Sequence, residues 1–309
     1  MQGSPVQLRS CPPLNPKGLS TPTESGGRRV WQGSANAARI LLNDTTEDTV
    51  LTIKGDTAVG DVIVNGSLRA VSAKSVDLSG DFQVTGGVGA VTLRDVTATR
   101  ITTGPGTTAG SYAFRTVTDS SLDAATPIKW IRALAWNDTD EERDLVRTPS
   151  LGALLVRGDF GADVTVDSLT KARVGGTLQD AVVRSTSDIL SFTAGATVDS
   201  TVFAGVASGM NGLPDFADDF VNPQATIRSF VVKGKSAGAF TNTVVAAPTI
   251  VNAQLGGIAP ANEGVPFGIA ASTIGAVSGV SSLSGSFRFR NLSQVSDSLS
   301  EGDLHIRLL

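Results

Sequence analysis

Leu154–Val206 reads LLVRGDFGADVTVDSLTKARVGGTLQDAVVRSTSDILSFTAGATVDSTVFAGV. Three short strand-like runs, LLVRG, ARVGG and SFTAG, close on Gly158, Gly176 and Gly195, at separations of 18 and 19 residues. After each glycine comes an apolar residue (Phe160, Leu178, Val198), then a second run (VTV at 164–166, AVV at 181–183, TVF at 201–203). A third short patch follows at Ser168-Leu169 and Asp188-Ile189. A fixed period near 20 is the signature of a solenoid, in which each repeat buries too little surface to fold alone and must stack on its neighbours. The stretch therefore predicts an all-β parallel β-helix, one coil per repeat. Right-handed is the expected hand for a strand–crossover–strand path.

Composition agrees. Of 309 residues, 40% are hydrophobic, and Val, Leu, Ile and Ala alternate with Thr and Ser, all strand-compatible choices. The 34 glycines match a chain with many tight turns. Net charge is −4 with 17% charged residues, so no basic track exists for a nucleic-acid backbone. The single cysteine, Cys11, rules out an internal disulfide framework. No apolar run is long enough for a transmembrane helix. The start, MQGSPVQLRSCPPLNPKG, lacks the apolar core of a secretory signal, and a trimmed start is expected.

Outward from the central stretch, residues 1–47 are expected to precede the β-helix as a disordered segment, proline-rich over 1–30, with a possible cap in WQGSANAARILL (31–42) as a short helix or a first coil, and 48–309 to be the β-helix. LTIKG, VIVNG, VDLSG and FQVTG end at Gly55, Gly66, Gly80 and Gly86. Ser67-Leu68, Asp81-Phe82 and Asp95-Val96 recur 14 residues apart, so units here are expected to be shorter. Residues about 104–150, with Tyr112, Trp130 and Trp136, break the pattern and are expected to form a longer loop excursion that carries IKWIRALAW as an apolar strand pair or short helix, and whose start, YAFRTVT (112–118), could contribute a coil. A second, about 207–225 (including SGMNGLPDFADDFVNPQA), is expected to protrude from a corner. FVVKG, AQLGG and TIGAVSG mark three later coils, and about 286–309 is expected to cap the C-terminal end.

Several phrases carry a resemblance: IRALAWNDTDEERDLVRTPSLGALLVRGDFGADVTV, VFAGV with LPDFADDF, IRSFVVKG, TNTVVAAPTIVNAQLGG and NEGVPFGIAASTIGAVSG. In this order, over roughly 50–309, they resemble the repeat region of large, uncharacterised bacterial exported or surface β-solenoid proteins. The resemblance implies export or surface display and no established catalytic activity.

Candidate chemistry is sparse. Asp138, Asp140, Glu142 and Asp144 place carboxylates on alternate residues, a pattern that can wrap calcium, though without the glycine and distal glutamate of an EF-hand loop. The bland reading is a solvated charged loop. Asp215, Asp218 and Asp219 are candidates for polysaccharide hydrolysis or lysis, as are the coil acids Asp159, Asp163 and Asp180. Such chemistry needs two carboxylates at a fixed separation, which a flexible loop does not hold. His305, the only histidine, reads as an exposed residue, and no multi-histidine metal site can form. VTGGVGA and GPGTTAG lack the ending of a phosphate loop and read as turns. Trp130 and Trp136 are either a sugar-stacking platform or anchors of a loop. The leading expectation is a non-catalytic structural or adhesive module of an exported or cell-surface protein, with extracellular polysaccharide or surface components as partners. The alternative is a polysaccharide-active β-helix enzyme.

Overall fold

The computed structural model describes residues 36–309. Of what precedes them it describes only the backbone of three short strands, Gln7–Arg9, Thr23–Ser25 and Arg28–Gln32. Cys11 and most of the expected disordered segment lie outside the described residues. Of the two forms expected near 31–42, the structure has the first coil: Ala37–Thr45 is a nine-residue strand paired in parallel with Thr57–Gly66. The chain is a β-solenoid, 61% strand, with about 12 turns of stacked parallel coils and no α-helix among the described residues. It divides into two compact units, Met1–Pro149 and Ser150–Leu309.

In the first unit each coil has three faces, and each face is a ladder of parallel strands in which one inward residue stacks on its equivalent. On the first face the stack is Leu51, Val71, Val91, Tyr112 and Ile131. On the second it is Val59, Leu78, Val96, Val117 and Trp136, and on the third Ile40, Val62, Phe82, Ile101, Leu122 and Val146. All are buried. Alternation along a strand dictates this, since every second side chain points inward.

These ladders change two expectations. Leu51, Val71 and Val91 are 20 residues apart, so the first unit's coils match the 18 to 19 of the central stretch and are not narrower. The 14-residue recurrence steps from one face to another along the coils. The expected excursion over 104–150 shrinks to two short loops, 104–109 and 138–144. Between them Gly110–Ala113, Thr116–Thr118, Ser121–Ala124, Ile128–Ala133 and Ala135–Asn137 are ordinary rungs. Aromatic residues occupy inward positions that Val and Leu fill elsewhere: Phe114 lies 6.3 Å from Tyr112 and meets Trp136 edge-on at 6.2 Å. Gly104 shows why glycine punctuates the turns, since a Cβ there would lie 1.9 Å from the Thr85 carbonyl oxygen.

The second unit repeats the plan. Its first face stacks Leu169, Ile189, Ile227, Ile250 and Ile274, and beside them Ala172, Phe192, Phe230, Ala253 and Val277. Phe192 and Phe230 stack at 5.4 Å, and Phe240 meets Phe230 edge-on at 6.2 Å. Burial of each such ring contributes about 1.5–3 kcal/mol. The third face stacks Val164, Val183, Val202, Val245, Ile269 and Ile306. Leu304–Leu308 is thus a full rung, parallel to Phe267–Ala271. In this unit Gly285–Leu292 runs antiparallel to Thr273–Ser281, and Leu299–Glu301 antiparallel to Leu304–Leu308.

Candidate functional site

The acids proposed from sequence are mostly turn residues. At one corner of several coils a residue adopts positive φ: Ala98 (49°) and Asp119 (48°) in the first unit, Asp180 (48°), Asp199 (49°) and Asn242 (40°) in the second. Asp and Asn tolerate this conformation better than other side chains. After most of them comes a buried hydroxyl that donates to the carbonyl two residues back. Ser120 donates to Thr118 at 2.8 Å, Ser200 to Val198 at 2.7 Å and Thr243 to Thr241 at 2.8 Å. Ser120 and Ser200 also accept a backbone N–H from the preceding coil, from Thr99 at 3.0 Å and Ala181 at 3.2 Å. Each corner therefore satisfies donors and acceptors that a buried turn would otherwise strand.

Aspartates elsewhere on the coils bind the next coil. Asp159 accepts the Thr177 N–H at 2.7 Å and Asp163 the Val182 N–H at 2.8 Å. In the first unit Asp77 and Asp95 likewise accept N–H groups one coil on, from Asp95 and Thr116. Arg94 binds Asp77 through two bonds of 2.6 Å and also pairs with Asp56, while Arg115 pairs with Asp95. The guanidiniums of Arg94 and Arg115 hold the Asp77 and Asp95 carboxyls below the usual carboxylate range.

The segment over 207–225 does not protrude. It lies down as a strap on the outer third face of the second unit. Outward residues on that face run Arg184, Phe203, Ala246, Ala270 and Arg307 from coil to coil. Strap residues Leu213 and Phe220 pack on Phe203, Ala246 and Ala270. The two arginines grip it from either side. Arg184 sits over the Phe203 ring at 4.9 Å and donates to the carbonyls of Ala207, at 3.1 Å, and Met210. Arg307 donates to the Pro214 carbonyl at 2.8 Å and pairs with Asp215. Asp219 accepts the N–H groups of Asp215 and Phe216, each at 3.0 Å. Asp215 and Asp219 are thus fastenings, and Asp218 is exposed. His305 is half-buried in its rung, opposite Gly268. Trp136 is inside the coil, whereas Trp130 is half-buried on an outer face under the Arg132 guanidinium, 4.5 Å from its ring centre, so the two do not form one platform.

The loop 138–144 brings some of its acids together. Asp119, Asp138 and Asp140 have carboxylate oxygens within 4.8 Å of one another. Asp119 belongs to the corner one coil earlier and is absent from the set drawn from alternating acids. Its carboxylate accepts the Thr139 N–H at 2.6 Å and hydroxyl at 2.9 Å. Asp138 has a side chain only 5% exposed and pairs with Arg143 at 3.0 Å. Asp140 accepts the Glu142 N–H at 2.9 Å. Asp144, 4% exposed, points inward and accepts the Trp136 indole N–H at 3.2 Å. Burial pushes its carboxyl up to about 7, with the nearby Asp138 and Asp119 charges adding to the rise. The trio offers three oxygens, against the six to eight that calcium takes, and all three of its members already have donors in this chain.

No family model, curated protein or solved structure matches this chain.

Proposed function

We propose that the chain is a non-catalytic structural or adhesive module of an exported or cell-surface protein, displaying coil faces to extracellular polysaccharide or surface components. The observation that carries this reading is the employment of its acids. Asp159 and Asp163 bind neighbouring coils, Asp180 is a corner residue, and Asp215 and Asp219 fasten the strap. A glycoside hydrolase needs a pair of free carboxylates facing one sugar at about 5–9.5 Å. The repeat phrases' resemblance to exported bacterial solenoids supports the setting.

The test is a glycan-binding array and a polysaccharide-degradation screen on the full chain, run with and without calcium. Binding without product release is the expected result. Product release from any polysaccharide, abolished in Asp218→Asn or in Asp159→Asn/Asp163→Asn, would establish an enzyme instead. Calcium-dependent binding that Asp119→Asn/Asp140→Asn removes would assign the corner trio a cation.

A further inference from the structure

The C-terminal end of the second unit carries an unfilled edge. Gly285–Leu292 (GSFRFRNL) pairs along one side with Thr273–Ser281, from Ile274 opposite Leu292 to Ser281 opposite Gly285. Among the described residues its other side pairs with no strand. Its side chains alternate. Phe287 and Phe289 share the face of Gly279 and Val277 and stack at 5.6 Å. Arg288 and Arg290 lie on the other face, exposed and without an ion pair among the described residues. The phenylalanines form one wall of a cavity of about 310 Å³. Leu299, Leu304 and Ile306 form the other, and Ser284, bonded to Glu301 at 3.1 Å, stands at its rim.

We infer that this edge receives an extended segment of another protein, with apolar and acidic residues in alternation, which adds as the next strand. Three observations converge on that occupant. An exposed edge presents a row of unsatisfied N–H and C=O groups, and an extended chain is the ligand that pairs with them. Side chains of an added strand fall alternately on the two faces of the strand it joins. Every second one would therefore lie over Phe287 and Phe289 and fill the apolar cavity. The intervening ones would lie beside Arg288 and Arg290, where carboxylates fit and cations do not. A second copy of this chain is a poor occupant, because the strand holds two arginines and no acid. Pairing it with itself sets like charges alongside each other.

The probe is an eight-residue peptide alternating Val and Glu, fluorescently labelled and titrated onto the full chain by anisotropy. Comparison peptides replace Glu by Lys, or keep the side chains and methylate alternate backbone nitrogens. The Val/Glu peptide is expected to bind, to weaken with added salt, and to lose about tenfold or more in affinity against Arg288→Glu/Arg290→Glu. That variant is expected to gain affinity for the Val/Lys peptide. Both arginines are exposed, so the reversal leaves the fold intact, which circular dichroism verifies. Failure of the Val/Glu peptide to bind, equal binding of the Glu and Lys peptides, or undiminished binding after backbone methylation would each overturn the inference. So would a concentration-dependent dimer in sedimentation that the peptide fails to dissociate.

Discussion

Asp144 is the residue whose environment and charge conflict most. Its carboxyl is buried against Trp136 and near Asp119 and Asp138, and it titrates at about 7 instead of the ordinary 3.8. Between about pH 4 and pH 7 the folded chain keeps a proton that the unfolded chain has released. Folding is therefore favoured at the acidic end of this window, and that contribution is lost as the pH rises through 7. Asp144→Asn keeps an oxygen for the Trp136 N–H and removes the ionisation. Its melting temperature relative to the parent is expected to rise between pH 5 and pH 8, by about 3 °C or more. A constant difference across that range would show that Asp144 does not titrate there. Asp77 and Asp95 act in the opposite sense. Their arginine partners hold them below the usual range, so the stability they supply is present above it and declines on acidification. A melting curve of the parent against pH therefore sums opposed contributions, which is why the Asp144 term must be read as a difference between two proteins.

Among the elements, the strap over 207–225 is held by its two arginines and by the packing of Leu213 and Phe220. The charge-assisted bond from Arg307 to the Pro214 carbonyl contributes about 1.5–3 kcal/mol, and its pair with Asp215, whose side chain is 66% exposed, about 1 kcal/mol at most. Arg307→Ala is expected to raise the rate of limited proteolysis beside Phe216, a 72% exposed strap residue, by about tenfold or more. The coils beneath should keep their circular dichroism. An unchanged cleavage rate would mean that the apolar contact of Leu213 and Phe220 with Phe203 alone holds the strap. The sequence contained a signal for this cover. FGIAA at 267–271 and VVA at 244–246 show no alternation, and every residue in both is buried. A continuous apolar run means that both faces of a strand are covered. SGMNGLPDFADDF, by contrast, announces a loop through its Gly, Pro and Asn, and says nothing of where that loop lies. The coil over 110–137 was legible only in part, in YAFRTVT (112–118) and IKWIRALAW, for a related reason. Its core is Tyr112, Phe114 and Trp136, and a pattern built on Val and Gly passes over aromatic rungs. Asp119 escaped because its partners, Asp138 and Asp140, are neighbours only across one coil, a relation that appears once the register is fixed.

At the scale of the molecule, the period near 20 was legible because stacking imposes one length on every coil, so the same spacing reappears wherever no loop intervenes. Nearest-neighbour stacking also has an energetic consequence. In a solenoid each coil is stabilised by its own contacts and by the coils directly above and below, and a local defect is felt most strongly nearby. The two compact units make this measurable, because all three tryptophans, Trp31, Trp130 and Trp136, lie within Met1–Pro149. Tryptophan fluorescence thus reports the first unit, whereas far-ultraviolet circular dichroism reports strands in both. Phe192 is fully buried in the second unit and stacked on Phe230, so Phe192→Ala should cost about 3–5 kcal/mol through lost transfer energy and the cavity left behind. Urea unfolding followed by both signals is expected to show an earlier, broader dichroism transition and an unchanged fluorescence midpoint. If the fluorescence midpoint moves by the same amount, the two units unfold as one cooperative body, and the damage at Phe192 is shared across the whole chain.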